Sequence, residues 1–197
     1  MKTLKESILK SVRAGKYAYA PKTKEELHKV IMQEVRRTRN WNCSLNHIDT
    51  SLIKDMSKLF MHTSFNGDIS EWDVSKVENM ELMFMNCDFN GDLSKWDTHN
   101  VTNMRKMFYM SEYTGEKGDI SDWDVSGVTD MEEMFGTSEY IGNLSDWDVS
   151  SAVKTDGMFA DAKFNNNISK WKLNKKCDYD WTFHNCNIDK KYLPKKP

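Results

Sequence analysis

Five tryptophans, Trp72, Trp96, Trp123, Trp147 and Trp171, follow one another at intervals of 24, 27, 24 and 24 residues, and their neighbours recur with them. A period on that scale means that one short unit has been copied and must stack on its copies, because a unit of about 24 residues cannot bury its own apolar face. With Trp72 as origin the unit runs Ile69, Trp72, Val74, Val77, Met80, Met83 and Phe84, then Cys87 and Phe89. Leu93, Trp96, Thr98, Val101, Met104, Met107 and Phe108 fill the same slots, as do Ile120, Trp123, Val125, Val128, Met131, Met134 and Phe135. A further copy holds Leu144, Trp147, Val149, Ala152, Met158 and Phe159, a decayed one Ile168, Trp171, Leu173 and Phe183, and a first one without tryptophan begins at Ile48.

The opening of each unit, apolar at its first, fourth and sixth positions, is the LxxLxL pattern of leucine-rich repeats with Trp in place of the second leucine. Alternation at Trp72 and Val74 predicts a short strand with both side chains inward. Apolar residues at intervals of three and four from Val77 to Phe84 predict a helical or 3-10 segment on the opposite side, and Thr129 with Glu132 has capping-box spacing at one such start. Asn66-Gly67, Asn90-Gly91 and Gly142-Asn143 supply the returning turns. The fold expected is an α/β repeat solenoid, a right-handed leucine-rich-repeat-like stack of six units behind an α-helical cap.

The segments divide as 1–47, a basic helical cap; 48–170, an acidic repeat array; and 171–197, a degenerate last repeat with a basic C-terminal cap. Thr3 and Glu6, then Thr23 and Glu26, have capping-box spacing. Leu4, Ile8, Leu9 and Val12 stripe the first cap helix, and Leu27, Val30, Ile31 and Val35 the second, which ends near Arg39. Trp181 and Phe183 are expected to close the far end, and the final KKYLPKKP to fray.

The array resembles the BspA-like leucine-rich-repeat family, in its Mycoplasma-lipoprotein-type branch, whose units read FNxDIxxWDVSxVxxMxxMFxxC. The stretch FNGDISEWDVSKVENMELMFMNCDFNGDLSKW is nearly a copy of that pattern, and the resemblance covers about residues 48–186. The lead-in YAYAPKTKEELHKVIMQEV and the following LNHIDTSLIKDMSKLF are similar to those of family members from gut bacteria and their mobile elements. The resemblance implies a right-handed solenoid used for protein recognition or adhesion.

Charge is segregated along the chain. Residues 1–47 hold 11 Lys/Arg against 4 Asp/Glu, residues 48–170 hold 10 against 23, and residues 171–197 hold 7 against 3. An acidic middle between basic ends steers partners without determining the fold. Asp49, Asp73, Asp97, Asp124 and Asp148 share one slot beside the tryptophans and would form an outward ladder. Like charges stacked about 4.8 Å apart repel, so each either accepts local hydrogen bonds, from Ser75, Ser126 or Ser150 for instance, or awaits a basic partner. A cation held by Asp68, Asp92 and Asp119 with that ladder is a third reading. The unit after Trp96 is three residues longer than its neighbours. Insertions in repeat stacks go to loops on one face, so Tyr109, Tyr113 and Tyr140 are candidate exposed anchors there.

His28, His47, His62, His99 and His184 lack metalloprotease spacing, and neither a nucleophile elbow nor a phosphate loop is present, which argues against an enzyme. Cys43, Cys87, Cys177 and Cys186 have no CxxC spacing and read as reduced thiols, with Cys87 and Cys186 packing inward. The exposed basic side of the second cap helix, with Lys29, Arg36, Arg37 and Arg39, reads as a solvated face or as a contact for an acidic partner or for nucleic acid. Residues 1–20 lack a signal peptide's apolar stretch, and no lipobox cysteine accompanies them. The expectation is a cytoplasmic, non-enzymatic protein-protein interaction module without cofactor or metal, monomeric when free. Its partner would be a protein with a basic surface, and not nucleic acid or membrane. Its partner-binding residues would be Asp73, Asp97, Asp124, Asp148, Tyr109, Tyr113 and Tyr140. An inhibitor of a host defence nuclease from a phage or mobile element, using an acidic phosphate-mimicking surface, is the alternative, and surface adhesion a second one.

Overall fold

The structure is a computed structural model that describes Gly15, residues 17–177 and residues 179–197. The first expected cap helix lies outside the described residues. Among them, the one long helix is α1 (Lys24–Thr38), followed by a single helical turn, α2 (Tyr179–Thr182), and a 3-10 turn at Lys190–Tyr192.

Between α1 and α2 the described backbone forms neither a helix nor a strand longer than an isolated bridge, which overturns the leucine-rich-repeat architecture expected from LxxLxL. The units do stack, but each is a chain of β-turns. The reason lies in the Asx residue that precedes each apolar pair. Asp68 Oδ1 accepts from the Ser70 amide at 3.0 Å, Asp73 Oδ1 from Ser75 at 3.0 Å, and Asn79 Oδ1 from Glu81 at 3.0 Å. Each capped segment then closes on itself, with Trp72 N donating to Ile69 O (3.2 Å), Val77 N to Val74 O (2.8 Å) and Met83 N to Met80 O (3.2 Å). Asx side chains that capture the second amide downstream offer the backbone an alternative to a ladder. The Trp72 and Ser75 amides are used within the unit and those of Asp73 and Val74 make no backbone bond among the described residues, so the expected strand at Trp72–Val74 does not pair with its neighbour.

Pairing between units falls instead on the segment expected to be helical. Parallel bridges join Asp55, Asn79, Asn103, Asp130 and Lys154 in succession. The amides of Met80, Leu82, Phe84 and Asn86 donate to Asn103, Arg105, Met107 and Tyr109 of the next unit at 2.8–2.9 Å. A helix is impossible there because two residues per unit, such as Leu82 (φ 59) and Asn86 (φ 48), are left-handed. That conformation costs a non-glycine residue about 1–2 kcal/mol, and here the same residues' amides make inter-unit bonds that offset it. Thr129 does not cap Glu132 as its spacing suggested; Asp130 Oδ1 does, at 3.2 Å.

Rings fill the interior. Phe60, Phe84, Phe108, Phe135, Phe159 and Phe183 stack at 5.5–5.8 Å between centroids. Phe65, Phe89, Tyr113, Tyr140 and Phe164 form a second column at 5.9–6.3 Å. Each repeat tryptophan is buried and donates its indole N–H to the preceding unit's backbone, Trp72 to Leu45 O at 3.0 Å and Trp123 to Leu93 O at 3.0 Å. That bond explains tryptophan where a leucine would otherwise serve: the ring supplies both apolar area and a donor for a buried carbonyl.

The α1 helix covers the first unit with Leu27, Ile31 and Val35, and Thr23 caps it by accepting from Glu26 N at 3.2 Å. Buried Glu34 ties the two together, accepting from Arg37 (2.6 Å) and Tyr19 Oη (2.8 Å) and lying 3.2 Å from His47 Nε2. Arg37 thus pairs with Glu34 while its side chain stays 64% exposed on the basic face. At the other end Phe183 stacks on Phe159, but Trp181 is 57% exposed and does not close the core. The tail expected to fray is held, for Tyr192 O accepts from Ile168 N at 3.0 Å and Pro194 is buried.

Candidate functional site

The aspartate slot sits at a turn corner. Asp73, Asp97, Asp124 and Asp148 are exposed, whereas Asp49 is buried under the cap segment, its amide donating to Tyr19 O at 2.9 Å. The exposed row therefore has four members. Each is fixed through Oδ1: Asp73 and Asp124 accept from the amide (3.0 Å) and hydroxyl (2.6 Å) of Ser75 and Ser126, and Asp148 from the Ser150 amide at 3.0 Å. Asp97 faces His99, whose Nδ1 lies 2.7 Å away. The Ser126 hydroxyl and amide hold the Asp124 carboxyl below the usual range, and Ser150 does the same for Asp148, so both stay charged well into acid. The local acceptor role and the exposed charge coexist, because the turn uses one carboxylate oxygen and leaves Oδ2 out of these bonds.

Asp68, Asp92 and Asp119 cap their own turns in the same way, through Ser70, Ser94 and Ser121. Among the described residues no group of three or more His, Cys, Asp or Glu side chains could hold a metal ion. All four cysteines are free thiols; Cys87 is buried, and burial raises its pKa, while Cys186 is half-buried.

The three tyrosines do not form the exposed cluster expected of them. Tyr113 and Tyr140 are fully buried and occupy the column that Phe89 and Phe164 occupy in neighbouring units, so neither presents a surface. The Tyr113 hydroxyl is tied to the insertion. In the regular unit the turn lies directly on the ring, since a Cβ at Gly91 would stand 2.8 Å from Phe89 ring atoms. In Tyr113's unit the residues Gly115–Lys117 lengthen that turn, and Tyr113 Oη donates to Gly118 O at 2.8 Å; in Tyr140's unit, of ordinary length, Gly142 stays on the ring, where a Cβ would collide with Tyr140 Oη. Tyr140 Oη is buried without a hydrogen-bond partner. The long loop therefore presents neither Tyr113 nor Tyr140 as a surface anchor.

Tyr109 alone of the three is half-exposed, and it borders a concavity the repeat pattern did not reveal. Its lining is Tyr109, Glu133, Thr137, Asp156, Gly157, Ala160, Asp161 and Trp181, and its volume ≈ 260 Å³. Only the loss of bulk at Gly136, Gly157 and Ala160, in slots filled by Met85, Leu82 and Met61 elsewhere, could have signalled it in the sequence.

Residues 29–115 and 110–193 each match the family described as Mycoplasma protein of unknown function, DUF285. The chain belongs to this family. Two successive matches agree with an array that runs through most of the chain, and the description assigns no activity. No curated protein and no solved structure matches the chain. Among the described residues no helix is long and apolar enough to cross a membrane.

Proposed function

We propose that the chain is a non-enzymatic protein-binding module whose aspartate corner receives a basic surface of a partner protein. The observation that carries this reading is the row Asp73, Asp97, Asp124 and Asp148, four exposed carboxylates repeated unit after unit. Each is held by the residue two positions on, so the charges are positioned before a partner arrives. Groups fixed in advance lose little entropy on binding, and a single-signed row accelerates encounter with an oppositely charged surface.

A nuclease blocked through its phosphate-binding cleft would be one such partner. The broader reading needs only a basic surface opposite the four carboxylates, and it is the one tested below.

Asparagine separates the local role from the partner role. Its Oδ1 accepts the same turn bonds, as Asn79, Asn143 and Asn167 already do in other turns of the stack. The variant Asp73→Asn/Asp97→Asn/Asp124→Asn/Asp148→Asn should keep wild-type stability and lose partners that wild-type protein captures from its native host, scored by quantitative mass spectrometry in low and high salt. An identical partner list for both proteins would defeat the proposal.

A further inference from the structure

The concavity beside Tyr109 differs from the rest of the stack in both shape and chemistry. In the two outward slots of the paired side, most units carry long side chains: Lys58 and Met61, Leu82 and Met85, Lys106 and Tyr109. The next two units carry Glu133 and Gly136, then Gly157 and Ala160. The floor is therefore nearly bare backbone. Tyr109 leans along the stack onto it, since a Cβ at Gly136 would stand 3.0 Å from the Tyr109 Cδ2. Trp181, 57% exposed, forms the opposite wall. Glu133, Asp156 and Asp161 supply carboxylates around the rim.

A volume of ≈ 260 Å³ falls below that of most small-molecule sites, and suits a single side chain. Aromatic faces with carboxylates beside them attract a cation. The protein already shows that chemistry at the near wall, where Lys106 Nζ lies 5.2 Å from the Tyr109 ring centroid and 3.1 Å from Glu133 Oε1. Between the two cations available to proteins, the guanidinium is planar, weakly hydrated, able to stack on a ring and to bridge carboxylates with paired N–H groups. We propose that this notch receives one arginine side chain of the partner protein, with its guanidinium between Tyr109 and Trp181 and its N–H groups on the Asp156 and Asp161 carboxylates. This deepens, and rests on, the protein-binding reading above.

The test needs no partner. N-acetyl-arginine amide is titrated into the full chain while the indole N–H resonance of Trp181, identified by its absence in Trp181→Phe, is followed by ¹H–¹⁵N NMR. The notch predicts a saturable shift, and none with the neutral isostere N-acetyl-citrulline amide. Asp156→Asn/Asp161→Asn should weaken the arginine response at least ~10-fold. Ala160→Met, which restores the side chain that Met61 and Met85 carry in the same slot, should fill the floor and abolish it, with the buried tryptophan resonances unmoved as evidence of folding. No saturable shift with arginine, or an equal shift with citrulline, overturns the notch. Charge-dependent partner capture without the arginine shift would sink the notch and leave the binding module standing. An arginine shift in a protein whose partner list ignores the aspartate row would sink the module reading instead.

Discussion

Replacing Tyr140 with phenylalanine should stabilise the protein, although it removes a polar atom from a well-packed core. The Tyr140 hydroxyl is buried with no hydrogen-bond partner, and a buried hydroxyl left unsatisfied costs about 1–3 kcal/mol. Phe159's neighbour Phe164 shows that the column accepts a ring without the hydroxyl, stacked 6.3 Å from Tyr140. Tyr140→Phe should therefore gain about 1 kcal/mol or more, a rise of roughly 2–4 °C in Tm for a chain of this size. Tyr113→Phe should instead lose about 1 kcal/mol, the net worth of a typical hydrogen bond, because it gives up the bond to Gly118 O. The insertion adds a coupling. Deleting Gly115–Lys117 from wild-type protein should press the turn onto the Tyr113 hydroxyl at a cost of about 1–3 kcal/mol, as overpacking does. The same deletion in Tyr113→Phe/Tyr140→Phe should cost little. Urea denaturation followed by tryptophan fluorescence measures all four proteins. A destabilised Tyr140→Phe, or a deletion equally costly in both backgrounds, would refute the reasoning.

Trp123→Ala should cost about 3–5 kcal/mol in the same urea experiment, since it empties a buried ring site and removes one of the two donors to the Leu93 carbonyl, whereas Trp181→Ala at an exposed site should cost far less. Glu34 predicts an acid transition: Arg37, against the opposing effect of burial and with help from Tyr19, lowers its pKa from 4.5 to about 2. A depressed folded-state value means stability fully present above pH 4.5 and lost as pH falls towards about 2, on the order of 2–3 kcal/mol at most. Glu34→Gln should be less stable at neutral pH, and its pH dependence between those values should flatten in urea titrations.

The repeat itself, its six copies and the second cap helix were legible in the sequence because tryptophan spacing and the Thr23–Glu26 pair are strong periodic signals. The local structure of the unit was misread because apolar residues at i and i+3 suit a β-turn closed by one backbone bond as well as they suit a helix. The deciding signal was present in every unit as Asp or Asn, an apolar residue, then Ser: Asp68-Ile69-Ser70, Asp73-Val74-Ser75, Asp92-Leu93-Ser94, Asn143-Leu144-Ser145. The Ser75, Ser126 and Ser150 donors make local capture legible in one aspartate slot, and Ser70, Ser94 and Ser121 repeat it in the slot before, where no strand forms. Of the candidate site residues, the four aspartates are exposed where the period placed them. Tyr113 and Tyr140 failed because position in an insertion outweighed their register with Phe89, counted from the tryptophan. Trp181 was legible as an aromatic but not as exposed, since it falls in the outward slot of Leu82 and Gly157. The notch arises from side chains that are missing, and such a signal appears only when units are compared slot by slot.

Which side of the unit carries the backbone pairing fixes which side chains the corner and the notch present, so amide hydrogen exchange in the native protein tests the account most directly. The turn-built stack predicts slow exchange at Met80, Leu82, Phe84 and Asn86 and at their counterparts Met104, Lys106, Phe108 and Met110, all of which donate to the next unit. It predicts faster exchange at Asp73 and Val74 and at Asp124 and Val125, which make no backbone bond among the described residues. Slow exchange at Asp73, Val74, Asp124 and Val125 with fast exchange at Met80 through Asn86 would mean that a parallel ladder runs through the tryptophan side after all, and would contradict the account.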